Sequence, residues 1–283
     1  MNNRLTMTAD SGSTKTHWAV GSVVITTQGI NPCHQTDDDI LATLRNELLP
    51  AMEQHHLDAA HIVAIHFYGS GVRPEQQQRM EQLLHSLFAS ASTIEARSDM
   101  LGAARALCGN SPGMACILGT GANSCLYDGH DIVANTPAMG YILGDEGSGA
   151  VLGRNFLNAL YRNRLFDGAQ QAFERWAGMN MADVIERVYR QPMANRWLAS
   201  LSLFIHQHIG QPTLQELVTD NFRQFIAHHI EPYHRRDLPL SAVGSIAWYY
   251  SDQLTLAVKQ AGYTMGRIMR SPLDNEGLKN EKS

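Results

Sequence analysis

The sequence predicts an α/β fold made of two similar halves, and three observations support this fold class. Short apolar stretches that can form buried strands end in turns of Gly, Ser and Thr, and helical patterns follow them. A strand, a polar turn and a second strand occur in Arg4–Val20 and recur in Gly113–Tyr127, which indicates internal duplication. The 283 residues, 44% of them hydrophobic, suffice for two domains of ordinary size.

The first half contains strands and helices in alternation. Gly21-Ser22 suits a tight hairpin, three aspartates stabilise the start of the first helix, and Pro74 suits the start of the second. The predicted elements are strands at Arg4–Ala9, Thr16–Val20 and Val23–Thr27, a helix from Asp37 to about Met52, a strand at His61–Phe67, a helix at Pro74–Leu87, a strand at Ala91–Ala96, and an Ala-rich helix that begins near Asp99.

The second half repeats this pattern around a long helical region. The predicted elements are strands at Gly113–Leu118, Ser124–Tyr127 and Ile132–Ala134, a helix from about Ala150 to Asn163, helices at Ala169–Trp176, Met181–Tyr189, Ala194–His208 and Thr213–His228, a strand at Leu238–Val243, a helix to about Gln260, and a strand at Met265–Met269. The polar tail from Asp274 is expected to be frayed.

Composition narrows the class of ligand. The net charge is −5 with no dense run of Lys or Arg, which disfavours nucleic acid and anionic membranes as partners and favours a small molecule. The four cysteines lack the spacing of a zinc or redox pair and are expected to be reduced. The N-terminus has no apolar signal core and no stretch approaches a membrane span, so we expect a cytoplasmic protein.

The turn Asp10–Thr16 is a candidate phosphate site. Backbone N–H groups near Gly12, the hydroxyls of its Ser and Thr residues and the charge of Lys15 can all bind phosphate oxygens. Asp10 would hold a metal ion through water, because a bare carboxylate repels phosphate. Asp, Gly and Ser also favour ordinary hairpin turns, so this stretch alone leaves both interpretations open.

Further turns contain residues that could bind a ligand, and most of these residues also have a purely structural interpretation. Gly119–Ser124 repeats the phosphate-loop composition, and the glycines around Asp145 favour close approach of the backbone to a ligand. Asp99 is either a helix cap or a general base, and Asn31 either turns the chain or faces a ligand. Gly244–Ala247 is either a plain turn or a nucleoside contact. The histidines His206, His208, His228 and His229 lack a metal-binding spacing and are interpreted as surface or core residues.

Six segments together resemble a known family. They are Ala9–Thr16, Gly29–Pro32, Tyr68–Gly71, Leu118–Ser124, Gly144–Gly149 and Val243–Ala247. In this order they resemble the BadF/BadG/BcrA/BcrD ATPase family, and within it the bacterial N-acetylglucosamine kinase-like branch of the sugar kinase, heat-shock protein and actin superfamily. The resemblance covers nearly the whole chain. Relatives often carry Asp at the position of His17 and Phe at that of Cys33, and neither change affects a candidate ligand group.

The resemblance implies two ribonuclease H-like domains, with mixed sheets flanked by helices and an active site in the interdomain cleft. The expected domains are 1–100 and 101–283, the second with a helical insertion at about 165–235. It also implies ATP and Mg²⁺ as cofactors, Asp10 as the residue that places Mg²⁺, and Asp99 as the catalytic base. The expected ATP phosphate contacts are Ser11, Gly12, Ser13, Thr14, Lys15, Thr16, Gly119, Thr120 and Gly121; the adenosine contacts are Gly244, Ser245 and Ala247; the sugar contacts are Asn31, Ser70, Asp99, Gly121, Asn123 and Asp145.

The implied activity is transfer of the γ-phosphoryl group of ATP to the primary hydroxyl of an amino sugar, first of all N-acetylglucosamine. Glucosamine and N-acetylmuramic acid remain open as substrates, and a homodimer is the ordinary expectation for an oligomer. Two other functions remain open. One is an ATPase that activates a 2-hydroxyacyl-CoA dehydratase, which needs cysteines for a shared iron–sulfur cluster. The other is a non-catalytic regulator that binds sugar or nucleotide.

Overall fold

The computed structural model describes residues 4–12 and 14–274. The candidate phosphate residue Ser13 and the tail beyond Asp274 therefore lie outside the described residues. The chain divides into two compact units. Unit 1 comprises the residues before Leu107 together with the segment that begins at Pro272, and unit 2 comprises Leu107–Ser271.

Unit 1 is built on a mixed five-stranded sheet. Its strands are β1 (Leu5–Ser11), β2 (Lys15–Val20), β3 (Val23–Gln28), β4 (Ile62–Gly69) and β5 (Thr93–Ser98). The order across the sheet is β3-β2-β1-β4-β5, with β1, β2 and β3 antiparallel and β4 and β5 parallel to β1. The first three strands form a meander of short turns, whereas the parallel strands need helical crossovers.

The helices that precede β4 and β5 supply these crossovers and cover the sheet, and a further helix follows β5. They are α1 (Asp37–Thr43), α2 (Leu49–Gln54), α3 (Pro74–Leu87) and α4 (Asp99–Cys108), and a π turn at Leu44–Leu48 joins the first two. Thr36 caps α1 through a capping box with Asp39, which explains why the acidic run begins a helix. The buried core includes Met7, Trp18, Phe67, Met80 and Phe88, and Trp18 contacts Phe67 with ring centroids 5.6 Å apart.

Unit 2 repeats the same sheet topology. Its strands are β6 (Gly113–Leu118), β7 (Ala122–Tyr127), β8 (Ile132–Thr136), β9 (Pro239–Val243) and β10 (Thr264–Met269). The order β8-β7-β6-β9-β10 matches that of unit 1 strand for strand, with an antiparallel meander first and two parallel strands after it. The predicted duplicated α/β fold is therefore confirmed.

The helices of unit 2 lie mainly between β8 and β9. They are α5 (Gly140–Leu143), α6 (Gly149–Leu160), α7 (Ala169–Ala177), α8 (Met181–Tyr189), α9 (Ala194–Ser200), α10 (Ser202–Gln207) and α11 (Pro212–Phe225), followed after β9 by α12 (Ser245–Tyr249) and α13 (Ser251–Gln260). Their apolar faces join the sheet in one core. Phe156, Phe173 and Phe204 form its aromatic centre, with ring centroids 5.4–5.5 Å apart.

Four predicted helices are interrupted in the structure. The helix predicted from Asp37 to about Met52 contains the π turn Leu44–Leu48, and the helix predicted to run to about Gln260 is divided at Tyr250 into α12 and α13. Ala194–His208 was predicted as one helix, but it is interrupted at Leu201 and forms α9 and α10. The helix predicted to end at His228 stops at Phe225 and continues as a π turn at Ile226–Ile230. In that turn the carbonyl of His229 accepts hydrogen bonds from Thr136 and Ser124, so its lone pairs serve tertiary contacts. Among the described residues, no helix is both long and apolar enough to cross a bilayer.

Close packing of α6 against α9 predicts a sharp effect of one methyl group. A Cβ at Gly153 would overlap the backbone carbonyl of Leu198, which cannot move without shifting α9. We expect Gly153→Ala to destabilise the protein by roughly 1–3 kcal/mol, the usual cost of overpacking. Urea denaturation measures the loss. Gly210→Ala is the matched control, because a Cβ there meets nothing within 4 Å, and an equal loss in both variants would contradict the packing argument.

Candidate functional site

In unit 1 the parallel strands end side by side. Ser11 of β1 pairs with Gly69 of β4, and Gly69 pairs with Ser98 of β5. Asp10 lies one residue before the end of its strand, and Asp99 follows directly after the end of its own. Because the carboxyl ends of parallel strands meet at the same edge of a sheet, this register brings the two predicted carboxylates to one place.

The pKa values of both Asp10 and Asp99 are raised in this environment. The pKa of Asp10 is raised to about 7, mainly by burial and also by the negative charge of Asp99, while the positive charge of Lys15 acts to lower it. Burial also raises the pKa of Asp99, while backbone N–H groups at Met100 and Asp99 itself lower it. Two adjacent anions in a part-buried place repel each other, so the arrangement favours binding of a cation or a proton.

Backbone N–H groups of the first turn of α4 contact the carboxyl group of Asp99. Oδ1 of Asp99 accepts a hydrogen bond of 2.8 Å from the N–H of Met100. Ser98 performs the capping function, since its Oγ accepts from the N–H of Leu101 three residues later. The helix-cap interpretation of Asp99 is therefore not needed to explain how α4 begins.

The β1–β2 turn separates buried hydroxyls from exposed groups. Ser11 is fully buried, and its Oγ donates to the carbonyl of Ile30 (2.9 Å), accepts from the N–H of Ile30 (3.1 Å) and contacts Oγ1 of Thr16 (2.6 Å). Thr16 is also buried, and its Oγ1 reaches the carbonyl of Gln28. Gly12, Thr14 and Lys15 are exposed. The exposed members, not the buried hydroxyls, are thus available to a phosphate.

Asn31 packs against the Tyr68–Gly71 turn. A Cβ at Gly71, where φ is 83°, would overlap Oδ1 of Asn31, so the glycine is required for this approach. Oδ1 of Asn31 accepts from the N–H of Cys33 at 3.0 Å. The N–H of Ser70 donates to the carbonyl of Ser11 at 2.8 Å. Asn31 and Ser70 are therefore tied to the same end of β1 that carries Asp10.

A charged cluster behind this edge supports α4. Arg105 of α4 donates to Glu95 of β5 at 3.0 Å and to the Tyr68 hydroxyl at 2.8 Å. His66 lies 3.3 Å from the same Glu95 oxygen. Tyr68 is buried and packs against Gly102, where a Cβ would lie 2.6 Å from its ring. These contacts fix the rotation of the helix that begins with Asp99.

In unit 2 three predicted turns converge within one region. The N–H of Gly149 donates to the carbonyl of Gly119 (2.8 Å), and that of Ala150 donates to the carbonyl of Thr120 (3.2 Å), which joins the start of α6 to the phosphate-like turn. Gly244 has φ 124°, and a Cβ there would overlap the carbonyl of Leu118. The Gly244–Ala247 turn therefore lies against the end of β6.

Asp145 lies beside Gly121. It is 8% exposed and has φ 56°. Its Oδ1 accepts from the N–H of Gly140 (3.1 Å), and a Cβ at Gly121 would lie 3.1 Å from its Oδ2. Burial raises the pKa of Asp145, the N–H of Gly140 and His229 lower it, and Glu146 raises it. Oδ1 of Asn123 accepts from the N–H of Ser124 and from Asn135.

Comparison with solved structures decides the family. A structure of a putative N-acetylglucosamine kinase from Porphyromonas gingivalis shares 45% identity with this chain, covers 94% of it and 95% of its own length, and superposes with a TM-score of 0.90. The chain belongs to this family of sugar kinases. No protein-family model matches the chain, and neither does any curated protein sequence, so its membership of the BadF/BadG/BcrA/BcrD branch stays a prediction.

More distant structures share the fold of this sugar kinase. A putative N-acetylglucosamine kinase from Chromobacterium violaceum has 19% identity and a TM-score of 0.70, with 94% of this chain and 95% of that chain covered. A ROK family glucokinase from Streptomyces griseus, solved with glucose and AMPPNP, has 12% identity and a TM-score of 0.57, with 94% of each chain covered.

The cysteines of this sugar kinase occupy different environments. Cys116 and Cys125 are buried in the sheet of unit 2, and burial raises the pKa of both thiols. Cys108 is part-buried, and Cys33 is exposed with its Sγ 3.1 Å from the carbonyl of Gly71. Two of the four thiols thus lie inside the core, where they cannot join a cluster shared with another subunit.

Several structural residues of the site were missed by the sequence interpretation. Arg105 and Glu95 carried no motif, and His228 and His229 were assigned to surface or core without a partner. His228 is indeed exposed and His229 buried, but both contact Glu146 next to Asp145. Their separation along the chain exceeds 80 residues, so local spacing contains no signal for these pairs.

The contacts of Glu95 with His66, Arg97 and Arg105 predict that the stability of the protein depends on pH. The hydrogen bond from His66 and the charges of Arg105 and Arg97 lower the pKa of Glu95 from 4.5 to about 2 despite burial. A carboxyl group whose pKa falls on folding stabilises the protein above its unfolded pKa, and this contribution is lost as pH falls from about 4.5 towards 2. Urea midpoints of the wild type and Glu95→Gln should therefore converge over that range. Exposed Glu53→Gln is the control and should show a constant difference.

Proposed function

We propose that the protein is an ATP-dependent kinase that phosphorylates the primary hydroxyl of an amino sugar, with N-acetylglucosamine as the first candidate. The observation that carries this proposal is the pair of part-buried carboxyls, Asp10 and Asp99, at the shared end of β1 and β5. The relative with 45% identity supports a sugar as the acceptor. That relative is described as a putative N-acetylglucosamine kinase, which supports an N-acetylated amino sugar as the acceptor.

Asp99 is assigned the role of general base. A base must be ionised and yet bind a proton readily when the hydroxyl attacks, and burial moves the pKa of Asp99 upwards in that direction. Ser98 caps the helix, so the carboxylate of Asp99 is not needed for capping. Asp99 therefore accepts the proton of the sugar hydroxyl while the oxygen of that hydroxyl attacks the γ-phosphoryl group of ATP.

Asp10 is assigned to Mg²⁺. The fit is chemical: a carboxylate whose pKa is raised by burial and by a neighbouring anion is stabilised by a cation. No group of three or more acidic, His or Cys side chains arranged for a metal occurs in residues 4–12 and 14–274, and Mg²⁺ characteristically uses one or two carboxylates, water and substrate phosphates. When bound, the ion neutralises charge on the phosphate oxygens. Lys15 adds a second positive charge beside Asp10.

The remaining candidate residues are assigned by their exposure. Gly12, Thr14, Lys15 and the Gly119–Gly121 turn are proposed to bind ATP phosphates, while Ser11 and Thr16 hold the first turn in shape through their buried hydroxyls. Gly244, Ser245 and Ala247 are proposed to contact adenosine. The proposed sugar contacts besides Asp99 are Asn31, Ser70, Gly121, Asn123 and Asp145.

Replacement of the base should abolish turnover without abolishing nucleotide binding. We expect Asp99→Asn to reduce sugar-dependent ADP formation by a factor of about 100 or more, since general base catalysis contributes about 10²–10⁴. A coupled ADP assay measures turnover, and calorimetry with ATP measures binding. Asp252→Asn, at an exposed aspartate in the first turn of α13, is the control and should retain activity. Full turnover in Asp99→Asn would refute the role of Asp99.

The acceptor is tested separately with a panel of sugars. N-acetylglucosamine, glucosamine, N-acetylmuramic acid and glucose are compared in the same ADP assay, and the product is examined for phosphate at the primary hydroxyl. We expect the highest kcat/KM with N-acetylglucosamine, and a preference for glucose would move the assignment away from amino sugars. An ADP rate unaffected by every sugar would contradict the kinase proposal itself.

A further inference from the structure

The loop Gly144–Gly149, here called the acidic loop, holds Asp145 in an uncommon conformation. Asp145 has φ 56° and Gly147 has φ 83°. Left-handed backbone is disfavoured for a residue with a Cβ, so surrounding contacts must impose it at Asp145. Among the described residues, the side chain of Asp145 accepts a hydrogen bond from the N–H of Gly140, which lies outside the loop. The contacts that shape the loop must therefore come from its neighbours.

Glu146 provides the first of these contacts. Its Oε1 lies 3.1 Å from Nδ1 of His228, and its Oε2 lies 3.3 Å from Nε2 of His229. Burial acts to raise the pKa of Glu146, but its own backbone N–H and the two histidines lower it below the ordinary value. Each carboxylate oxygen thus has a protein partner. Glu146 is for this reason a structural neighbour of Asp145 and not a second ligand group.

His229 connects the acidic loop to the sheet. It is 3% exposed and stacks on Phe225 with ring centroids 5.0 Å apart. Its Nδ1 has no hydrogen-bond partner among the described residues, so the proton belongs on Nε2, where it is donated to Glu146. The carbonyl of the same residue accepts from Thr136 (2.9 Å) and Ser124 (3.3 Å). One residue therefore holds β7, β8 and the acidic loop together.

The helix before His229 holds the rest of the loop. Buried Asn221 of α11 accepts from the N–H of Gly147 at 3.3 Å, and its Nδ2 lies 3.4 Å from the carbonyl of Ser148. Phe225 packs on Gly147, where a Cβ would lie 2.8 Å from it. These contacts fix Gly147 and Ser148, whereas the side-chain ion pairs of Glu146 are with His228 and His229.

We propose that Glu146 and His229 are positioning residues of the sugar site, which fix the backbone of the acidic loop so that Asp145 faces Gly121 and its ligand. The proposal rests on the proposed function only through the sugar-binding role of Asp145. It predicts a defect in sugar affinity without a defect in ATP affinity. It also predicts that the two residues act as a unit.

The test uses three histidine variants of the full chain. His229→Leu removes the donor to Glu146, and His229→Gln keeps an N–H donor at a similar distance from the backbone. His228→Leu removes the other partner, whose side chain is 60% exposed, where ion pairs contribute little. We expect the sugar KM to rise about tenfold in His229→Leu with kcat and the ATP KM within about threefold, because the partly buried carboxylate of Glu146 loses a donor. His229→Gln should restore most of the affinity, and His228→Leu should resemble the wild type.

A double-mutant cycle separates positioning from general damage. Glu146→Ala should reproduce the rise in sugar KM, and the variant with both Glu146→Ala and His229→Leu should be no worse than either single variant, since both remove one interaction. Additive losses, a fall in kcat alone, or equal defects in His229→Leu and His229→Gln would overturn the proposal. If His229→Leu does not fold, Glu146→Ala, whose side chain is only partly buried, decides the same question through the sugar KM.

A second readout does not depend on sugar phosphorylation. Amide hydrogen exchange in the acidic loop should accelerate in His229→Leu and Glu146→Ala and remain at the wild-type rate in His228→Leu. If the wild type phosphorylates no sugar, the proposed function fails while this measurement still tests whether Glu146 and His229 hold the loop. Unchanged exchange in both variants would overturn the positioning role even if the kinase assignment is correct.

Discussion

The parallel pairing of strands is the constraint on which both candidate regions depend. In unit 1, β4 and β5 run parallel to β1, so Ser11, Gly69 and Ser98 end in register. In unit 2, β9 pairs in parallel with β6 up to Ile117 and Val243, so the Gly119–Gly121 and Gly244 turns begin at neighbouring positions. Residues distant in sequence become neighbours because of this register. A slip of one residue would turn every side chain of a strand to the opposite face of the sheet.

The order of apolar and polar segments along the sequence allowed the fold and the positions of the turns to be predicted. The candidate turns Asp10–Thr16, Tyr68–Gly71, Gly119–Ser124 and Gly244–Ala247 each follow an apolar run that favours a buried strand, and the repeated order of these units indicated the duplication. The individual role of a hydroxyl could not be read in the same way. Ser11 and Thr14 belong to one motif, but the hydroxyl of Ser11 is hydrogen-bonded to Ile30 and Thr16, whereas Thr14 is exposed. Local sequence does not say which hydroxyl the core will use.

Polar pairs between different helices, strands and loops could not be predicted from the sequence, for a different reason. Glu95 of β5 accepts a hydrogen bond from Arg105 of the following helix α4, and Glu146 contacts His229, which lies 83 residues later in the chain. Neither pair has a characteristic spacing, because each depends on how a helix packs on the sheet. The π turn at Ile226–Ile230 is of the same kind, since no Gly or Pro marks it and its His229 carbonyl bonds to β7 and β8. Such features follow from tertiary packing and from no local preference.

The two units support their candidate acids by a common physical arrangement. Asp99 begins a helix whose rotation is fixed by Arg105 and Glu95, and Asp145 lies in a loop fixed by Glu146 and His229. In each case burial raises the pKa of the acid itself, while the supporting carboxylate is stabilised as an anion by its partners. The strongly stabilised carboxylates, Glu95 and Glu146, are thus the supporting ones, and they hold the helix or loop that carries the candidate acid. In Asp99 and Asp145, burial disfavours the ionised carboxyl group. A ligand, a cation or a proton can stabilise these groups.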